Sequence, residues 1–443
     1  MIRFTFRNLL KILLITFSSF IYSQNNTNSK IPLNLNETWS KAIENSKKIQ
    51  LSTLEYRINK EEVIESKLER LPEVEIKGNY EYATNIPVYE DGLFHKPTQH
   101  EVIHLLYKVS TGYYLNVYDG NKLNLKIDKK EILASIALEQ QKMTTSEIKL
   151  EAAIYYLNLQ RSTVFRDLMI TDIANQEKQL AEIKSLFKNG VILRSDVLRV
   201  ELKLSNQKMM LVKIENDIAI ANQRLNILIG LPDEELINPH EILEPESFIL
   251  EPYNQYLEIA KHNSYEYNIS ESKTELSKIE LNNSKANVRP KIGLYGEFYL
   301  ANPQIFLYPY SPSNYTLGIF GVKASFPLSE LYLNKPKVRA AKLSLEKEEL
   351  EHHDTDDKIR QQVYESYLRF KEGLVRIDVA KTDVDQSKEN ARIVNENYFN
   401  QASLITDLLD ANVQLLQSQF DYASSKINAQ INYYQLQNIL GTL

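Results

Sequence analysis

The chain has 443 residues and no cysteine. Neither a disulfide nor a lipid-modified cysteine can hold it, so its stability must come from packing and assembly. Glycine (12) and proline (14) are scarce for the length, and tryptophan occurs once. Helix breakers spread this thinly leave room for long uninterrupted helices. A basic excess is also missing: the net charge is −6, whereas a nucleic-acid partner would leave a positive footprint. There is no nucleophile elbow, no P-loop and no zinc-protease motif, so an enzyme is not expected. The stretch EHHDTDDK at 351–358 places His352 and Asp356 on one helix face but supplies no third ligand at helical spacing. No metal and no cofactor are expected.

The one sustained apolar run, Ile12 to Ile21, follows Arg3, Arg7 and Lys11 and precedes Ser23 and Gln24. It falls short of the ~20 residues a spanning helix needs and reads as a secretory signal peptide, residues 1–23, with the mature chain starting at Gln24.

What is present is repetition. A shift of 211 lays Phe187, Asn189, Asp196, Leu198, Leu204, Leu225 and Gly230 over Tyr398, Asn400, Asp407, Leu409, Leu415, Leu436 and Gly441. A shift of 218 lays Ala42, Asn45, Pro72, Gly78 and Tyr80 over Ala260, Asn263, Pro290, Gly296 and Phe298. The expected organisation is therefore a first repeat at 24–231, a proline-bearing linker at 232–252 and a second repeat at 253–443. Each repeat reads as helix, β-hairpin, long helix, helix.

No Gly or Pro interrupts Asn121 to Asn189, and from Lys337 onwards only Gly373 and Gly441 occur. Rods of roughly 100 Å follow at ~1.5 Å per residue. Leu409, Val413, Leu416, Phe420, Ala423 and Ile427 step by alternate fours and threes, the seam of a left-handed coiled coil, which weakens at Gln430 before Tyr434. Val197, Val200, Leu204, Leu211, Ile214, Ile218, Ala221, Leu225 and Leu228 do much the same in the first repeat. A plain helical bundle would explain the seams equally well, but not the rod length.

Between the helices the period falls to two. EVEIKGNYEY at 73–82 and KIGLYGEFYL at 291–300 alternate apolar and polar residues over the ~10 positions of a membrane-spanning β-strand. Return strands are expected near 106–117 and 315–326, the second with blurred alternation. Tyr89, Phe94, Tyr107, Tyr308, Tyr310 and Tyr315 near the turns suit an interfacial aromatic belt. Four such strands leave unpaired edges that hydrocarbon does not tolerate, so the sheet must close with two, three or four protomers. The other reading is a soluble sheet packed on a helix.

The Leu71-Pro72 and Arg289-Pro290 steps from helix to strand, GVKASFPLSELYLNKPKVRAA at 321–341, the LGTL ending at 440–443 and the ordered duplication together resemble the TolC-like outer-membrane efflux protein family. The resemblance covers essentially the mature chain. It implies a mainly α fold with a β-barrel part: a homotrimer in which four transmembrane β-strands per chain close as a 12-stranded barrel in outer-membrane lipid, above a long α-helical coiled-coil tunnel in the periplasm. It implies an exit duct for efflux or type I secretion, docking a periplasmic adaptor and an inner-membrane transporter of the RND or ABC type. The alternative is a periplasmic coiled-coil scaffold.

The resemblance also assigns residues. Asp407 and Asp410 in YFNQASLITDLLDAN match the aspartates of the pore constriction, and Tyr398 matches a tyrosine of the network that holds it shut. Gly190 matches the turn glycine at the periplasmic tip, and Asp196 follows it as Asp407 follows the second turn. Two departures stand out: Gln401 takes the place of the second turn glycine, and Ser403 stands where a basic residue often takes part, leaving Arg194 or Arg199 as substitutes. A second role for Asp407 is that of a helix N-cap.

Overall fold

The computed structural model describes residues 30–239, 249–304 and 311–443. The signal peptide at 1–23, the middle of the linker and Tyr308 and Tyr310 lie outside the described residues. The chain divides into two compact units. One comprises the described residues of Met1–Leu51, Lys142–Ser264 and Lys358–Leu443; the other comprises Ser52–Gln141 and the described residues of Tyr265–Asp357.

In chain order the elements are β1 (Ile31–Leu33), α1 (Leu35–Asn45), α2 (Lys47–Leu68), β2 (Glu73–Tyr82), β3 (Ile86–Val88), β4 (Thr98–His100), β5 (Leu105–Tyr118), α3 (Lys122–Lys188) and α4 (Arg194–Ile229). There follow β6 (Ile237–Pro239), α5 (Tyr253–Asn263), α6 (Tyr265–Ala286), β7 (Lys291–Asn302), β8 (Tyr315–Ser325), α7 (Glu330–Phe399) and α8 (Ile405–Ile439). The chain is mainly helical, and α3 and α7 run for 67 and 70 residues.

The second unit holds the sheet, in the antiparallel order β2-β5-β7-β8. Its register sorts the side chains by chemistry. Val74 pairs with Tyr113, Tyr113 with Gly296 and Gly296 with Phe320; one step along, Ile76, Thr111, Phe298 and Gly318 line up. Since alternate residues share a face, Val74, Ile76, Tyr80 and Tyr82, Val109, Leu294, Phe298 and Leu300, and Phe320 and Val322 form one apolar surface, all of it exposed in the chain. The opposite face carries Lys77 bonded to Glu75 and Lys108 bonded to Glu297, both at 2.6 Å, with the Lys108 ammonium over the Tyr299 ring. β8 blurs the division as expected, since Ile319 lies on the polar side. β3 and β4 add a small two-stranded antiparallel ribbon.

In the first unit, α1 opens with a capping box at Asn34. The Asn34 side chain accepts from the Glu37 N–H at 2.7 Å, and Glu37 accepts from the Asn34 N–H at 3.0 Å. Trp39 donates to the Lys149 carbonyl and meets the Tyr434 ring edge-on. The start of the proline-bearing linker is not free chain. β6 pairs in parallel with β1, and the Asn222 and Asn226 side chains hold the backbone between Pro232 and Ile237. The core beneath is built from Leu33, Leu35, Ala42, Ile148, Tyr156, Leu225, Ile229 and Tyr434.

Two expectations are corrected. The helix read from Lys337 begins at Glu330 and carries Pro336 inside it. Proline there removes one backbone donor, and the helix continues because its neighbours keep theirs. In α8 the seam is rotated at its start: Leu408 and Ala411 are buried, whereas Val413 is 40% exposed. Gln430, read as weakening the seam, is itself buried.

Candidate functional site: the paired helix turns

The two stretches singled out from the sequence are the turns α3–α4 and α7–α8. α3 ends in a turn whose Val191 N–H bonds the Leu186 carbonyl and whose Gly190 N–H bonds that of Phe187, both at 3.0 Å. α7 ends the same way, Ala402 bonding Asn397 at 2.7 Å and Gln401 bonding Tyr398 at 2.9 Å. Both are Schellman motifs, which require a left-handed residue at the closing position. Gly190 has φ 72° and Gln401 has φ 61°. The departure at Gln401 thus leaves the shape of the turn unchanged and forces a side chain into a conformation that favours glycine.

The helices that follow start alike. The Leu193 N–H donates to Asp196 Oδ2 at 3.4 Å, and the Leu404 N–H donates to Asp407 Oδ2 at 3.1 Å. Each aspartate is the third residue of its helix, so Asp407 is not the N-cap. It satisfies the N-cap backbone from within the first turn, where a carboxylate also suits the helix dipole. Asp410 lies one turn further on the same side, and both aspartates are exposed.

The turns pack into one apolar cluster. Ile183 from α3, Val197 and Val200 from α4, Tyr398 from α7 and Ile405 and Leu408 from α8 are buried together. Tyr398 is 6% exposed, and among the described residues its hydroxyl has no hydrogen-bond partner. Burial raises its pKa, and the nearby Asp196 carboxylate raises it further by opposing a second negative charge. Tyr398 and Asp196 are therefore brought together. Among the described residues no ion pair joins Arg194 or Arg199 to an aspartate, and Ser403 is half-buried beside the turn. His352, in the second unit, contacts the Ser270 hydroxyl and packs on Tyr267.

One connection escaped sequence reading. Asn412 donates to Gln179, which donates to Asn395, linking α8, α3 and α7 by amides at 3.1 and 3.0 Å. Their positions are remote in sequence, and no local pattern marks them.

No family model matches the chain, and no curated protein matches it by sequence. Its fold has solved counterparts. It is similar to CusC, a protein that forms a transmembrane channel, with TM-score 0.78 and 14% identity over 92% of each chain. The outer membrane protein VceC of Vibrio cholerae superposes with TM-score 0.76 and 14% identity, covering 92% of this chain and 96% of that one. The MtrE outer membrane channel of Neisseria gonorrhoeae gives 0.73 and 16%, covering 92% and 88%. The fold is that of the TolC-like outer-membrane channels.

Proposed function

We propose that the chain is the outer-membrane exit duct of a tripartite efflux or type I secretion system, a passive channel and not an enzyme. One observation carries this: a four-stranded sheet with a continuous exposed apolar face and two unpaired edges, on the fold of outer-membrane channels. Three copies close twelve strands into a barrel, with α3, α4, α7 and α8 forming a tunnel into the periplasm. The chain is a duplicated repeat, 24–231 and 253–443, behind a cleaved signal peptide. A periplasmic adaptor and an inner-membrane RND or ABC-type transporter supply the cargo and the energy. Asp407 and Asp410 line the constriction, and Tyr398 belongs to the packing that holds it shut.

The test is fractionation followed by electrical recording. The full chain should sediment with the outer membrane, require detergent, migrate as a heat-modifiable trimer and conduct ions in planar bilayers. Release by high salt as a soluble monomer would replace this reading with that of a periplasmic scaffold.

A further inference from the structure

Where α6 enters β7 and β8 leaves for α7, the second unit contains a pocket of about 420 Å³. Lys285 from α6 and Lys335 and Arg339 from α7 line it, with Val288, Leu331 and Val338 between them. Lys335 and Arg339 are four residues apart and so share a helix face. The carboxylate in the lining, Glu330, is already engaged through both oxygens by Lys337 at 3.2 Å. Among the described residues no carboxylate lies within ion-pair distance of Lys285, Lys335 or Arg339. The walls are fixed. Buried Asn334 donates to the Ser284 carbonyl at 2.6 Å and accepts from Asn287 at 2.8 Å, pinning α7 to the end of α6.

The chain leading from β8 into the pocket-lining start of α7 is apolar. Phe320, Val322 and Phe326 alternate down β8 and past its end, and Phe326, Leu328 and Leu331 are 49%, 67% and 50% exposed. Unpaired cations beside exposed apolar side chains suit a ligand with a negative head and a hydrocarbon tail. A free anion would use the cations and leave Phe326, Leu328 and Leu331 in water.

We propose that this pocket binds the phosphate headgroup of an anionic phospholipid, with Phe326, Leu328 and Leu331 against its acyl portion. The inference rests on the sheet lying in lipid, and the test separates the two claims. The delipidated full chain is first floated with phosphatidylcholine vesicles; failure to float would sink the duct reading itself. Detergent-solubilised protein is then titrated with phosphatidylglycerol or phosphatidylcholine, and retained lipid is counted by native mass spectrometry. Wild type should hold phosphatidylglycerol in preference. The exposed double variant Lys335→Gln with Arg339→Gln should still float but lose that preference by about tenfold or more. Lys342→Gln, outside the pocket, should keep it. Equal retention by the double variant and wild type overturns the site. So does displacement of phosphatidylglycerol by millimolar inorganic phosphate, which would mark a free-anion site instead.

Discussion

Gln401 closes the α7–α8 turn with the backbone that Gly190 gives to the α3–α4 turn, at φ 61° against 72°. A side chain in the left-handed region costs about 1 kcal/mol relative to glycine. Gln401→Gly should raise stability by about that amount, and Gly190→Gln should lower it similarly. Chemical unfolding of detergent-solubilised protein checks both. A destabilising Gln401→Gly would show that the Gln401 side chain makes a compensating contact.

Asp407 and Asp410 separate by role. Asp407→Ala removes the bond to the Leu404 N–H and should cost about 0.5–1 kcal/mol, whereas Asp410→Ala should leave stability within that range. In the proposed trimer about six carboxylates surround one axis, and a charged ring attracts cations. The double alanine variant should assemble, show reduced cation preference in single-channel recordings and resist block by multivalent cations. Unchanged selectivity and block would leave Asp407 as a helix-start residue alone.

Asp172 on α3 accepts from Gln207 on α4 and is pushed up to about 6 by burial, which the Lys203 charge and the Gln207 bond oppose. The folded carboxyl holds its proton more tightly than the unfolded one, whose ordinary pKa is 3.8. Its charge therefore opposes folding above pH 6, and that penalty is relieved as pH falls from 6 towards 4. Wild type should melt higher at pH 5 than at pH 7. Asp172→Asn should remove this difference and stabilise the protein at pH 7, by about 1 kcal/mol once solvent screening of a part-exposed carboxylate is allowed for. Identical pH profiles for the two proteins would refute the assignment.

Two glycines after the last helix of each half pack against asparagines at equivalent places. A Cβ on Gly441 would lie 2.1 Å from the Asn263 backbone oxygen, and φ there is 72°. At Gly230 a Cβ would instead meet the Asn45 side chain at 2.5 Å, with φ 76°. Backbone cannot turn aside, but Asn45 can, at the expense of its bond to the Ile229 carbonyl. Gly441→Ala should cost at least about 2 kcal/mol and Gly230→Ala less, measured as loss of thermal stability.

The strands and rods were legible because their signals are local. EVEIKGNYEY becomes β2 residue for residue, and α3 fills the breaker-free stretch to Lys188. What escaped depends on partners distant in sequence. Ile237 joins a strand only because Ile31 lies alongside, and nothing in INP announces it. The rotation of the α8 seam from Val413 to Leu408 and Ala411 is set by which neighbours cover the helix. At the turns, the matching of Asp196 and Asp407 was visible in the repeat, while the proximity of Asp196 to Tyr398 required the fold. Gln401 looked like a break in the pattern, and only its φ shows the pattern preserved.

Among the described residues β2 and β8 each keep one side of their ladder open, and an even number of antiparallel strands makes those two sides run in opposite directions. In the proposed trimer each subunit thus joins its neighbours through two different edges, and no seam forms without both. The genetic result is dominance. In a cell where half the chains carry a crippled β8 edge, only about one ring in eight is built entirely from sound subunits. An edge mutation should therefore damage export even when a normal copy of the gene is expressed beside it.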